Sequence, residues 1–158
     1  MRCYSLTTAS FPSCTGIGYS AFHYCSKLTT ISFPSCSSIG SNAFYSCSGL
    51  STIDFPVCKT VGSYAFGNCY SLTTASFPSC VSLYNSAFAN CYNLTSLYLT
   101  GSSVAGLINS TAFNSTPIAG YTTSTGGIYG SIFVPSSLYN TYISSTNWVY
   151  FSSRFVSV

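Results

Sequence analysis

The sequence contains very few charged side chains. Only 3% of its 158 residues are charged, namely four Lys or Arg and one acidic residue, Asp54, whereas an ordinary soluble domain has roughly 25%. A catalytic pair of carboxylates therefore cannot be assembled within this chain. The basic residues are scattered rather than clustered, so the sequence lacks a basic patch for phosphate groups, and we predict no binding of nucleic acid.

Long apolar runs and familiar chemical motifs are also missing. No apolar run approaches the roughly 18 residues of a membrane-spanning helix, so we predict no membrane insertion. The nine cysteines lie at a constant spacing of 11 residues, whereas structural zinc sites use closely spaced pairs. His23 is the single histidine, and its neighbour Cys25 occupies a recurring position, which argues against a catalytic Cys–His pair. We therefore predict a protein that is not an enzyme and uses no metal or cofactor.

What the sequence does contain is a repeat of 22 residues with two cysteines in each unit, a period that indicates a solenoid. The alternation in Ile31-Ser32-Phe33 predicts a short strand with one buried face, and Pro34 ends that strand. One unit cannot bury its apolar face alone, so successive units must stack with parallel strands about 4.8 Å apart. The recurring apolar positions are the leucines Leu6, Leu28, Leu50, Leu72 and Leu94 and the phenylalanines Phe22, Phe44, Phe66 and Phe88.

The repeat motif resembles that of a known family. Its signature, Ile39-Gly40 followed by Ala43-Phe44, Cys47 and Leu50, is similar to the BspA-type leucine-rich repeats over roughly residues 3 to 113. The resemblance implies a β-rich solenoid, a right-handed stack of about five coils with one short parallel strand each and a mostly irregular return side. It also implies a bacterial cell-surface or extracellular location and a non-catalytic adhesion module that binds a protein or a glycan. The alternative function is a purely structural spacer within a longer surface protein.

The two ends of the chain differ from the regular units. We assign residues 1–113 to the solenoid and residues 114–158, in the same domain, to a loop or small hairpin, a last strand and a cap. The segment Ser131–Pro135 echoes the strand Thr30–Pro34, and a short helix is predicted at about 138–145. The side chains predicted to cover the open end of the core are Trp148, Phe151 and Phe155.

The beginning of the chain has neither a signal peptide nor a polar capping repeat, which solenoids normally carry. We interpret the chain as a fragment or a truncated reading frame. Its first coil would then expose a strand edge, through which two copies could associate.

The cysteines are best explained as buried free thiols that act as small apolar side chains. Equivalent cysteines of adjacent coils point in the same direction into the stack, which disfavours a disulfide between them. Some disulfides remain the alternative, because secreted proteins fold in an oxidising environment.

The outward side chains of the strands form the first candidate binding face, since solenoids use such extended surfaces for recognition. Asp54 lies in the central coil of this face, where its carboxylate could accept hydrogen bonds from a sugar or pair with a cation. The residues of this face are Thr30, Ser32, Thr52, Asp54, Thr74, Ser76 and Tyr98. The tyrosines that follow cysteines form a second candidate patch, Tyr4, Tyr70 and Tyr92, because tyrosine is favoured in protein contacts.

Overall fold

The computed structural model describes residues 3–121 and 126–158. Its regular part is a stack of coils, and each coil has a three-residue strand followed by a two-residue strand. In chain order these strands are β1 (Thr8–Ser10), β2 (Gly16–Ile17), β3 (Thr30–Ser32), β4 (Ser38–Ile39), β5 (Thr52–Asp54), β6 (Thr60–Val61), β7 (Thr74–Ser76), β8 (Ser82–Leu83), β9 (Ser96–Tyr98) and β10 (Gly106–Leu107).

The three-residue strands form one side of the stack, which we call the strand face. They pair in parallel with a register of 22 residues, so that Thr52 lies beside Thr74 and Thr74 beside Ser96. The central side chain of each strand points inward; Ile53, for example, is 3% exposed, whereas Asp54 is exposed. The predicted solenoid with parallel strands is therefore confirmed.

The prediction of a single strand in each coil needs correction. The two-residue strands pair into a second, continuous parallel sheet in the order β10-β8-β6-β4-β2. Gly40 N–H donates to the Ile17 carbonyl and Gly62 N–H to the Ile39 carbonyl, both at 2.8 Å. Since all coils stack in one register, any extended backbone on the return side also meets an equivalent partner, and its polar groups pair.

The core between the two sheets consists of stacked columns of identical side chains. Phe44 is fully buried, and its ring lies parallel to those of Phe22 and Phe66, with centroid distances of 5.1 and 5.2 Å. All nine cysteines are free thiols, and all except the half-buried Cys3 and Cys14 are buried. The sequence prediction that the cysteines belong to the core agrees with this arrangement.

The C-terminal segment covers the last coil. It contains 3₁₀ turns at Ser110–Phe113, Ser136–Leu138 and Trp148–Arg154, the strand β11 (Ser131–Val134), the helix α1 (Tyr139–Ser144) and the strand β12 (Phe155–Ser157).

Buried aromatic side chains attach this cap to the solenoid. Trp148 Nε1–H donates to the Ala105 carbonyl at 2.6 Å, and the Tyr142 hydroxyl accepts from Ala105 N–H at 2.9 Å. Trp148, Phe151 and Phe155 are buried, as expected for side chains that cover the core.

One detail of the cap differs from the sequence prediction. β11 is not the last strand, because β12 pairs with it and forms the edge of the sheet. Residues 114–121 and 126–130 contain no strand, which agrees with the predicted loop rather than with the alternative of a small hairpin, and residues 122–125 of that prediction lie outside the described residues. Within the described chain, no helix has the length and apolar character needed to cross a bilayer.

Candidate functional site

The strand face is interrupted between the second and third coils. β1 pairs with β3, and β5, β7 and β9 continue into β11 and β12, but β3 does not pair with β5. Elsewhere the residue after each strand donates to the next coil, as Phe11 N–H does to Ser32 and Phe55 N–H to Ser76, both at 3.0 Å. Phe33 N–H makes no equivalent bond to Asp54 in the described structure.

The separation of the two coils is confined to this face. The Phe33 and Phe55 rings lie 6.2 Å apart, whereas the Phe11–Phe33 and Phe55–Phe77 distances are both 5.6 Å. On the return side β4 and β6 pair normally. The second and third coils therefore fan apart at the strand face and stay in contact behind it.

The gap opens into a groove of about 530 Å³, which we call the strand-face groove. Six of the seven residues predicted for the first binding face line it: Ser32, Thr52, Asp54, Thr74, Ser76 and Tyr98. The seventh, Thr30, is exposed in β3 beside Thr8 and does not line the groove.

Unpaired backbone groups form the walls of this groove. In a parallel sheet, alternate residues direct their N–H and C=O groups toward opposite neighbouring strands. Thr30 N–H and the Ser32 carbonyl both form hydrogen bonds with the first coil. The backbone N–H and C=O of Ile31, which lies between them, therefore face β5. By the same alternation Thr52 and Asp54 face β3. Backbone groups of this kind require water or a ligand as partner, so the groove offers both donors and acceptors.

The side chains at the groove add one negative charge and a flat aromatic surface. Asp54 is exposed and has no ion pair within residues 3–121 and 126–158. Tyr98 stacks on Phe133, with ring centroids 4.5 Å apart and planes 10° apart. Phe133 was not among the predicted site residues, although the echo of Thr30–Pro34 in Ser131–Pro135 places it in the same column as Ser32.

The second candidate patch is only partly assembled. Tyr70 and Tyr92 stack at 5.4 Å with planes 2° apart, and Tyr121, which the sequence did not indicate, lies 5.3 Å from Tyr92. Burial is the main factor that raises the pKa of Tyr70. Tyr4 is separated from this pair by two coils, which have serine at the equivalent position.

No arrangement typical of catalysis or metal binding occurs in the described part of the chain. Cys25 is fully buried, and burial raises the pKa of its thiol, whereas a catalytic cysteine requires a lowered pKa. The His23 ring lies 4.3 Å from Tyr24 and 5.3 Å from Tyr45. The described residues include no group of three or more His, Cys, Asp or Glu that could hold a metal ion.

Two solved structures are similar to this chain. A solved leucine-rich repeat protein of T. pallidum is 27% identical with a TM-score of 0.49, and the alignment covers 66% of this chain and 62% of that one. A leucine-rich repeat protein of Bacteroides ovatus is 24% identical with a TM-score of 0.46, and the alignment covers 72% of this chain and 42% of that one.

Among curated proteins no significant match exists. The family model for the BspA-type leucine-rich repeat region matches residues 1–119 with six copies. This match spans most of the chain, and the chain therefore belongs to the BspA-type leucine-rich repeat family.

Proposed function

We propose that this chain is a non-catalytic binding module that holds a carbohydrate chain in the strand-face groove. The observation that carries the proposal is the interruption of the sheet between β3 and β5. A repeat used only as a spacer would gain stability from continuous pairing, because buried or partly buried backbone groups need partners. A gap beside the single acidic residue of the chain supports a role in recognition.

The chemistry of the groove fits sugar hydroxyl groups, which both donate and accept hydrogen bonds. The walls offer unpaired backbone N–H and C=O groups, and Thr52 and Ser76 add hydroxyls. The Asp54 carboxylate accepts charge-assisted hydrogen bonds, which are stronger than neutral ones. The stacked rings of Tyr98 and Phe133 provide a flat apolar surface for the face of a sugar ring. A groove of about 530 Å³ lies within the usual range for small-ligand sites.

The family supports the proposed cellular role. BspA-type repeats typically occur in bacterial surface proteins and serve as interaction modules. We infer a cell-surface adhesion role for this chain, in which the groove contacts glycans outside the cell. A protein ligand on the same face and a structural spacer without a ligand are the alternatives.

The proposal can be tested by screening the protein against immobilised glycans and matrix proteins. We expect saturable binding to a glycan that Asp54→Ala and Tyr98→Ala weaken. Ser10→Ala is a matched control, since Ser10 lies in the same column but in the first coil, outside the groove. Tyr70→Ala tests the second patch and should leave binding unchanged.

Three results would contradict the proposal. The absence of any saturable ligand would favour the spacer. Binding that depends on Tyr70 or Tyr92 but not on Asp54 and Tyr98 would move the site to the second patch. Binding to proteins alone would assign the strand face to protein recognition.

A further inference from the structure

A second depression lies on the return side of the first coils, away from the strand-face groove. It has a volume of about 470 Å³ and is lined by Tyr19, Ser20, His23, Asn42, Tyr45 and Tyr64; we call it the tyrosine pocket. The ring of Tyr24, which does not line the pocket, lies 6.0 Å from that of Tyr45. None of the lining residues is a lysine, arginine, aspartate or glutamate.

Two tyrosines of this cluster have a backbone conformation that tyrosine rarely adopts. Tyr24 and Tyr64 have φ values of 61° and 55°, in the left-handed region that disfavours bulky side chains. Other coils have Asn or Ser at the equivalent positions, such as Asn42 for Tyr64 and Asn68 for Tyr24. The solenoid therefore does not require tyrosine at either position, and such strained residues concentrate at functional sites.

Gly67 is a third departure from the repeat, and it lies against the Tyr45 ring. Its coil equivalents are His23, Tyr45 and Ala89, and its φ is not in the left-handed region. A Cβ atom at Gly67 would lie 2.9 Å from Cδ2 and 3.0 Å from Cε2 of Tyr45. Glycine at this position therefore makes room for the Tyr45 ring.

A hydrogen bond fixes the same ring. Asn68 Nδ2–H donates to the Tyr45 hydroxyl at 2.8 Å, and Asn68 in turn accepts from Asn90 at 2.9 Å. Tyr64 therefore lines the pocket directly, while Tyr24, Gly67 and Asn68 all contact or position the Tyr45 ring that forms another of its walls.

We propose that the tyrosine pocket binds an organic ammonium group, such as a quaternary trimethylammonium. Aromatic ring faces attract cations, and cages of such rings recognise quaternary ammonium ligands. The rings of Tyr45 and Tyr64, which both line the pocket, have planes that cross at 66°. Rings at such an angle can contact a compact, roughly spherical group from two sides.

Other ligand classes fit this pocket less well. An anion would find no Lys or Arg among the lining residues, and the described chain offers no metal site. A sugar ring stacks on a flat surface, which Tyr98 and Phe133 provide elsewhere with planes only 10° apart.

The probes for the test are choline and its neutral carbon analogue, in which a tert-butyl group replaces the trimethylammonium group. Binding to the intact protein would be followed by titration calorimetry and by the NMR signals of the tyrosine rings. We expect saturable choline binding, with the neutral analogue about 2- to 30-fold weaker, the range that a cation–π contribution provides.

Repeat-guided variants connect binding to the pocket without loss of the fold. Tyr64→Asn introduces the residue that Asn42 already represents at this position, and Gly67→Ala matches Ala89 in a later coil. We expect both to abolish or strongly weaken choline binding. Tyr64→Asn should leave the thermal midpoint at or above that of the parent, whereas Gly67→Ala displaces the Tyr45 ring and should lower the midpoint only slightly. Tyr70→Ser, which matches Ser48 in its column, is the control and should bind choline normally.

The proposal is wrong if choline does not saturate, or if the neutral analogue binds equally well, since the pocket would then be merely apolar. It is also wrong if choline binding survives both Tyr64→Asn and Gly67→Ala. A glycan that requires Tyr64 would reassign the pocket to sugars. Each outcome is independent of Asp54, so a failure of the strand-face proposal is distinguishable from a failure here.

Discussion

Phe44 illustrates the residue scale, at which inward and outward positions have very different energetic weight. Its side chain is fully buried, because its ring packs between those of Phe22 and Phe66. Thr30 lies in the strand β3 of the same coil, and its side chain is exposed. The repeat pattern alone distinguishes these two positions.

Phe44→Ala should lower the free energy of unfolding by about 3–5 kcal/mol, through lost burial and the cavity that remains. Thr30→Ala, on the outer side of β3, should change it by no more than about 0.5 kcal/mol. Urea denaturation of both variants measures the difference. Similar midpoints for the two variants would contradict the assignment of inner and outer faces.

At the scale of elements, the cap supplies hydrogen-bond partners for backbone groups of the last regular coil. Ala105 bonds through its N–H to the Tyr142 hydroxyl and through its carbonyl to Trp148 Nε1. All three residues are buried, so a missing partner could not be replaced easily by water. The helix α1 therefore contributes a specific polar contact as well as apolar cover.

Tyr142→Phe should cost about 1–3 kcal/mol, because the buried Ala105 N–H would be left without an acceptor. Tyr139→Phe in the same helix is the matched control, since Tyr139 is only half-buried and its hydroxyl does not bond to Ala105. Thermal unfolding of the two variants provides the comparison. Equal melting temperatures would show that the Tyr142 hydroxyl does not stabilise the cap.

At the scale of the whole molecule, the cysteines form columns along the stack, and the reactivity of their thiols depends on whether the protein is folded. Cys69 Sγ donates to the Phe44 carbonyl at 3.2 Å and Cys91 Sγ to the Phe66 carbonyl at 3.0 Å. Burial raises the pKa of Cys58 and of Cys80 to about 12. The folded protein therefore keeps these thiols protonated and out of reach of reagents.

The intact protein should react slowly with a thiol reagent, and the half-buried Cys3 and Cys14 should react first. Unfolded protein should release close to nine thiols. A thiol titration with and without denaturant makes the measurement. Recovery of a single thiol after unfolding would mean that the cysteines form disulfides.

Stability should fall at alkaline pH. The unfolded chain ionises its thiols near their ordinary pKa of about 8.5, whereas the raised pKa of Cys58 and Cys80 keeps them neutral in the folded state up to about 12. The stabilisation from these thiols is complete below the unfolded pKa and is lost as the pH rises above it. Each thiol contributes a slope of up to about 1.4 kcal/mol per pH unit.

Urea denaturation between about pH 8 and about pH 10, the interval in which unfolded thiols ionise, tests this dependence. Cys58→Ala should make the decline less steep. A stability that does not change across this interval would contradict the burial of the thiols.

The sequence by itself determined the coil, the inward columns and the position of the cap. Each of these depends on a pattern within one unit, such as the alternation in Ile31-Ser32-Phe33 or the spacing of the cysteines, and a local pattern recurs in every coil. It also indicated the outward column that contains Asp54. The second sheet escaped prediction because two-residue strands carry too little periodicity to be recognised.

Only the tertiary structure decided where the sheet opens and which side chains meet. A strict repeat predicts the same pairing for every pair of coils, so the gap between β3 and β5 cannot be inferred from periodicity. The contact of Tyr98 with Phe133 joins residues 35 positions apart across the loop before β11. The tyrosine pocket likewise brings together side chains of successive coils, and it depends on the room above Gly67, which is a property of the packed stack rather than of any single unit.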